Sequence, residues 1–255
     1  MKAVWYGVTK LSPFMNKQLN LFEQVLQNFP GHPPEQVFDD FLSIAICLLA
    51  ADSPQQTTVP FNFEQYYSEV SKPYSRQKQK IFPVLLHVLI EEVQRRVKIS
   101  EEPDVLGEYY QNHCAPEGEP PLLPYDVLLV IAFVLSERGT NLKSPDFLVR
   151  DCQSGGLLSA LYSAFKDGHT YYGLEHNPVY AKMAAINLFL RGVSDAEVLY
   201  ADTPDGFSVS YRITGSPRSL MIITRPEDSE LWNALNAEES NLNIVSLSQT
   251  PLKPQ

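Results

Sequence analysis

The stretch FLVRDCQSGGLL, residues 147 to 158, has the residue types and spacing best suited to holding a ligand. A short apolar run leads into a turn with two adjacent glycines, Gly155 and Gly156, and then into an apolar run with helical character. In sheets built from alternating strands and helices, ligands sit at the carboxyl ends of the strands, where the first glycine-bearing turn meets a helix. Other chemistries lack their residues. His32 and His113 fall in loops, His87 on a helix, and His169 and His176 on either side of a strand, none at metal-ligand spacing to a second His or Cys. Cys47, Cys114 and Cys152 are far apart and odd in number, which suits free thiols rather than a zinc or redox site. There is no G-x-S-x-G and no phosphate loop ending in Gly-Lys-Ser/Thr.

A second candidate surface is KPYSRQKQK, where Lys72, Arg76, Lys78 and Lys80 could meet phosphates and the nearby Tyr66, Tyr67 and Tyr74 could stack on bases. The reading that weighs more is a solvated basic loop before a helix. The formal net charge of −10, from 20 basic and 30 acidic residues, argues against nonspecific attraction to a phosphate backbone.

The elements that position these residues follow from periodicity. Apolar residues recur at helical spacing through residues 16 to 50, interrupted by PGHPPE, where proline ends one helix and opens the next. A short helix is predicted in FNFEQYYSEVSK, a long one from Pro83 to Lys98, a turn or two from Asp104 to Asn112, and an apolar helix from Tyr125 to Glu137. CAPEGEPPLLP marks the boundary between a helical region, 1–112, and an α/β region, 113–255. From Asp146 strands (FLVRD, TYYGLE, AEVLYA) alternate with helices (GLLSALYSAF, NPVYAKMAAINLFLRG), which implies parallel strands joined by right-handed crossovers. The runs FSVSYRI and LMIIT follow, then a short helix near Trp232 and a last strand, NIVSL. No apolar run approaches the roughly 20 residues that span a bilayer. The opening MKAVWYGVTK has no secretory pattern, so a cytoplasmic location is expected.

DVLGEYY (104–110), SGGLL and YYGLEHNPVYAKMAAINLFLRGV, in this order and spacing, resemble the gamma-type N6-adenine DNA methyltransferases, as in the modification subunits of type I restriction systems. They are still more similar to the short phage- and plasmid-borne N-6 DNA methylases, and the resemblance covers most of residues 35 to 213. It implies a Rossmann-like α/β fold of the S-adenosylmethionine-dependent kind behind an N-terminal helical domain. It also implies S-adenosylmethionine as cofactor, held by Asp151, Ser154, Gly155, Glu175 and Asp202. Glu175, ending the second strand, would accept the ribose hydroxyls, and Asp202 would meet the adenine amino group. Both acids also read as ordinary residues at strand ends.

This sequence departs from the family pattern at several points. Val149 stands where the loop acid belongs, with Asp151 able to replace it by a small slip, and Gln153 stands at the first glycine. The opening Phe-Thr-Pro segment becomes PPLLP, keeping Pro124 alone. The Asn-Pro-Pro-Tyr type motif, which accepts the N6 protons and holds a flipped base, is absent. NPVY (177–180) follows the second strand, where Asn177 reads as a helix cap and Pro178 as a first helical residue. At the place expected for the motif the sequence offers Thr224, Arg225, Pro226 and Glu227.

No catalytic residue and no metal site are assigned. The resemblance suggests a divergent N6-adenine methyltransferase-like protein without methyl transfer. It would act by binding DNA or a protein such as a restriction–modification component, in phage or plasmid defence or anti-restriction, where an acidic surface could imitate DNA. The alternatives are an active adenine methyltransferase, and an α/β half that is only a scaffold for the N-terminal helices.

Overall fold

A computed structural model of the chain describes residues 21–26, 29–53, 61–99, 101, 103–137, 146–166, 168–203, 206–215, 217–237 and 242–246. Seven helices come first: α1 (Leu21–Leu26), α2 (Pro34–Ala51), α3 (Phe63–Ser71), α4 (Arg76–Gln79), α5 (Ile81–Lys98), α6 (Val105–His113) and α7 (Tyr125–Glu137). Their starts are set locally. Pro34 occupies the first turn of α2, where its missing N–H has no partner to lose. Asn62 caps α3 through the Gln65 N–H at 3.0 Å, and Asp104 caps α6 through Gly107 N–H at 2.7 Å.

The α/β part then runs β1 (Phe147–Arg150), α8 (Gly156–Phe165), β2 (Tyr171–Glu175), α9 (Pro178–Arg191), β3 (Asp195–Tyr200), β4 (Val209–Thr214), β5 (Ser219–Ile223), a 3-10 turn at Pro226–Asp228, α10 (Glu230–Leu235) and β6 (Asn243–Ser246). The strand order is β5-β4-β3-β2-β1-β6. Four neighbours, β3, β2, β1 and β6, are parallel and joined through helices, as a Rossmann-like α/β fold requires. Asn177 caps α9 as the sequence implied, its Oδ1 accepting Val179 N–H at 2.9 Å, with Pro178 at the first helical position.

One expectation is corrected: LMIIT, after which the motif was expected, is not a fourth parallel strand, because β4 pairs antiparallel with β3, and β5 antiparallel with β4. Only residues 215–218 link these two strands, too short a stretch for a crossover but enough for a hairpin. The fourth parallel strand is therefore β6, beside β1, and the Thr224–Glu227 segment lies at the opposite edge of the sheet. The residues after the fourth parallel strand, from 247 on, lie outside the described residues.

A single apolar core runs through both regions. Phe38, Phe41, Phe82 and Leu89 of the helical region pack in one cluster with Leu158, Ala184 and Ile186 of the α/β region. Burying each such side chain stabilises the fold by roughly 1.5–3 kcal/mol. The helix α9 lies on β2, β3 and β4, with α2 and α5 stacked against it, so the helical region forms an outer layer on one face of the sheet. The other face carries a smaller cluster, Leu148, Tyr172, Leu199 and Ala201, under Leu231 of α10. Among the described residues no helix is long and apolar enough to cross a membrane.

Candidate functional site

The loop between β1 and α8 makes the turn the glycines suggested, with an unusual backbone. Asp151 and Gln153 adopt left-handed φ of +53° and +51°, and Gly155 one of +84°. Glycine takes that region freely, whereas a residue with a Cβ is strained there by about 1–2 kcal/mol. Gln153, at the family's first glycine, therefore follows the glycine path at a cost. Gly155 has a second reason to be glycine: a Cβ there would sit 3.0 Å from the Ala184 Cα of α9.

Glu175 explains how the strained turn is held. Its Oε2 accepts the Gln153 N–H at 2.7 Å, and its Oε1 accepts the N–H groups of His176 at 2.8 Å and Asn177 at 2.9 Å. A carboxylate offers about four acceptor positions, so three of them serve the chain's own backbone. The side chain is only 5% exposed. Burial pushes its pKa up, against the three backbone donors that favour the charged form.

Ser154 also faces inward, 3% exposed, and its hydroxyl donates to Asp104 Oδ2. Asp104 Oδ1 accepts from Asn187 Nδ2 and from Gly107 N–H, both at 2.7 Å, and Asn187 Nδ2 also donates to Ser154 O at 2.9 Å. These residues come from the three pieces that carry the family resemblance. Asp104 opens DVLG, Ser154 opens SGG, and Asn187 stands five residues before Gly192 at the end of α9. The structure thus joins them in one buried knot between the helical outer layer, the glycine loop and α9. Gly107 belongs to it as well, because a Cβ there would collide with the Asp104 carboxylate. Desolvation in this knot raises the Asp104 pKa. The knot was missed in the sequence; its signal was the Asp-x-x-Gly spacing of an N-cap, read there only as a family mark.

Above the loop, Asp104, Leu122, Leu123 and Leu128 face Gln153 and Leu157 across a shallow cleft of about 290 Å³ counted out to open solvent. Its closed part has room for about one water molecule. Sites that bury a small ligand usually have some 300–1,000 Å³. Leu122 and Leu123 come from PPLLP, so this segment lines the cleft with aliphatic side chains. It is pinned by Glu119, which accepts the hydroxyls of Tyr110 at 3.0 Å and Tyr180 at 2.7 Å, and by Leu122 N–H, which donates to Gln111 at 3.3 Å. Burial and the Glu119 carboxylate push the Tyr110 phenol up to about 12.

The remaining site residues lie at the sheet's carboxyl edge. Asp202 follows β3 and is exposed, as is Asp151. The exposed ring of His176 is held through Nδ1 to Ala201 O at 2.7 Å. Glu175 and Asp202 therefore end neighbouring strands as the sequence implied, one sequestered and the other open to solvent.

The basic run behaves differently from the stacking surface envisaged for it. Lys72, Arg76 and Lys80 are exposed, and Lys78 donates to Pro30 O at 2.9 Å. Tyr74 is 3% exposed and donates to Asp40 at 2.7 Å, so it cannot stack on a base. Tyr67 is half-buried and donates to Gln79 O at 3.2 Å, and Tyr66 is half-buried against Phe61. The tyrosines serve the α2–α3–α4 packing: Asp40, on α2, takes the buried Tyr74 hydroxyl, and the end of α4 takes that of Tyr67.

No family model matches the chain, and no curated protein matches it. Among solved structures it is similar to a candidate class I S-adenosylmethionine-dependent methyltransferase from Listeria monocytogenes, at 11% identity and a TM-score of 0.34 over 64% of this chain. The chain matches about half of that protein, 52% of its length. The fold class stands on the strand order and crossovers described above: this is a Rossmann-like α/β protein with a helical outer layer.

Proposed function

We propose that this chain is a divergent N6-adenine DNA methyltransferase-like protein that has kept the fold, has lost methyl transfer, and works by binding a protein partner, such as a restriction–modification component in phage or plasmid defence or anti-restriction. The observation that carries this reading is Glu175. The acid that would take two ribose hydroxyls is committed to three backbone N–H groups of the loop itself. With Leu122 and Leu123 lining the cleft, the residues present do not fit S-adenosylmethionine. Of the other loop residues assigned to the cofactor, Ser154 and Gly155 face Asp104 and Ala184 instead, and Asp151 is exposed.

A protein is favoured over DNA as partner. The net charge of −10 opposes phosphate binding, and Tyr74 and Tyr67 are engaged in packing. The phage or plasmid setting rests on the sequence resemblance alone.

The test is transfer of a labelled methyl group from S-adenosylmethionine to adenine-containing duplex and single-stranded DNA. The reading expects no incorporation above that of the Glu175→Ala chain. Incorporation that the Glu175→Ala substitution abolishes would show an active methyltransferase and sink it.

A further inference from the structure

Four of the seven exposed large hydrophobic residues of the described surface lie on one side of α7. Apart from Asp126, Ser136 and Glu137, every residue of this helix is apolar, yet only Tyr125, Leu128 and Ala132 are buried. Val127, Val130, Phe133 and Val134 are 45%, 63%, 60% and 43% exposed. Their spacing of three and four residues places them on a single stripe, the pattern of a seam that packs against another helix. A helix apolar on all sides is ordinarily buried on all sides. Here α7 packs on α8, with α9 beyond α8 over β2, β3 and β4. The stripe lies opposite Tyr125, Leu128 and Ala132, the residues that α7 buries.

Charge identifies what fits there. Asp126 and Glu137 are exposed at the two ends of the same stripe, and neither forms an ion pair among the described residues. The last turn of α7 holds that acid and no base, opposite to what the helix dipole favours. A second copy of the chain is a poor occupant. Antiparallel pairing of two α7 helices would set Asp126 of one copy beside Glu137 of the other, and parallel pairing would set each acid beside its twin. A helix with an aliphatic seam and a Lys or Arg at each end of it meets both acids.

We infer that the outer face of α7 is the docking site for an amphipathic helix of a different protein, about 20 Å long, with basic residues flanking its apolar seam. This rests on the reading that the chain acts through a protein partner, and names the surface and the kind of partner.

The probe is a fluorescent helical peptide of about three heptads whose central seam of Leu and Ile, about 16 Å long, is flanked on each side by a Lys, compared with the same peptide carrying Glu at those two positions. Anisotropy titration of the full chain should show the Lys peptide binding at least ten-fold tighter than the Glu peptide. Phe133→Asp and, separately, Val130→Asp should each weaken it at least ten-fold with unchanged circular dichroism. The double charge reversal Asp126→Lys with Glu137→Lys should invert the preference. Equal affinity for the two peptides, binding of neither, or a wild-type dimer in sedimentation that Phe133→Asp dissolves would each overturn the proposal. The two readings fail separately. Methyl transfer by wild-type and Phe133→Asp chains alike would remove the non-catalytic reading and leave the peptide result standing. Failure of peptide binding removes the docking face alone.

Discussion

Replacing Asp104 by alanine removes the acceptor of three hydrogen bonds: those from Gly107 N–H and Asn187 Nδ2, each at 2.7 Å, and that from the Ser154 hydroxyl. Each donor left buried without a partner costs about 1–3 kcal/mol, a gross loss of roughly 3–9 kcal/mol. Part of this is offset, because the carboxylate is itself desolvated and its raised pKa shows that its burial opposes the charged form. A net destabilisation of about 3 kcal/mol is expected, or a fall in Tm of about 6–12 °C for a chain of this size.

Asp104→Asn is the control. Its remaining oxygen can still accept from Gly107 and Asn187, while its amide can donate to Ser154 Oγ with the hydroxyl turned away, so about 1 kcal/mol is expected. Urea unfolding followed by circular dichroism measures both, and a cycle with Ser154→Ala should return a coupling of about 1 kcal/mol or more. An Asp104→Ala chain within about 0.5 kcal/mol of wild type would refute the knot. So would zero coupling to Ser154. In either case the three shared sequence pieces would need another explanation than joining the helical layer to the loop.

Glu175→Gln sets an NH₂ group against at least one backbone N–H of the loop and should cost about 2 kcal/mol in urea unfolding; unchanged stability would mean that the carboxylate is free. Gln153→Gly should relieve left-handed strain and stabilise by about 0.5–1 kcal/mol, and a loss of stability would contradict the φ of +51°. Burial raises the Asp104 pKa from its ordinary 3.8, so the folded state holds that proton to higher pH than the unfolded chain does. The stabilisation this gives is complete below 3.8 and is lost as pH rises through the folded value. The Asp104→Asn chain should therefore lose less stability over that rise than wild type, and parallel pH curves would count against the buried carboxyl. In gel retardation at about 0.15 M salt, Lys72→Glu with Arg76→Glu should leave DNA migration as in wild type, unshifted, because the net charge of −10 opposes phosphate binding; a wild-type shift lost in the variant would restore the nucleic-acid reading.

Much of the fold was legible because its elements are long or strongly periodic. The alternation from Phe147 to Tyr200 gave β1–α8–β2–α9–β3 and the parallel pairing, and Asn177-Pro178 declared the start of α9. The hairpin was not legible because apolar runs do not reveal which neighbour a strand pairs with or in which direction. Its signal was the short link with Gly215 at φ +79°, which leaves no length for a crossover. At the site, residue types were legible and their engagement was not. Whether Glu175 faces a ribose or its own loop depends on where the N–H groups of Gln153, His176 and Asn177 point, and that is set by backbone torsions which composition does not encode. Similarly, Tyr74 sits in a basic, solvent-like stretch of sequence, yet Asp40, 34 positions earlier, draws its hydroxyl inward.

The most direct test of the account is a calorimetric titration of the full chain with S-adenosylmethionine and S-adenosylhomocysteine, with Glu175→Ala alongside. The account expects no saturable heat up to millimolar ligand for either chain. Micromolar binding by the wild type that disappears in Glu175→Ala would contradict it and show that FLVRDCQSGGLL is a working cofactor loop.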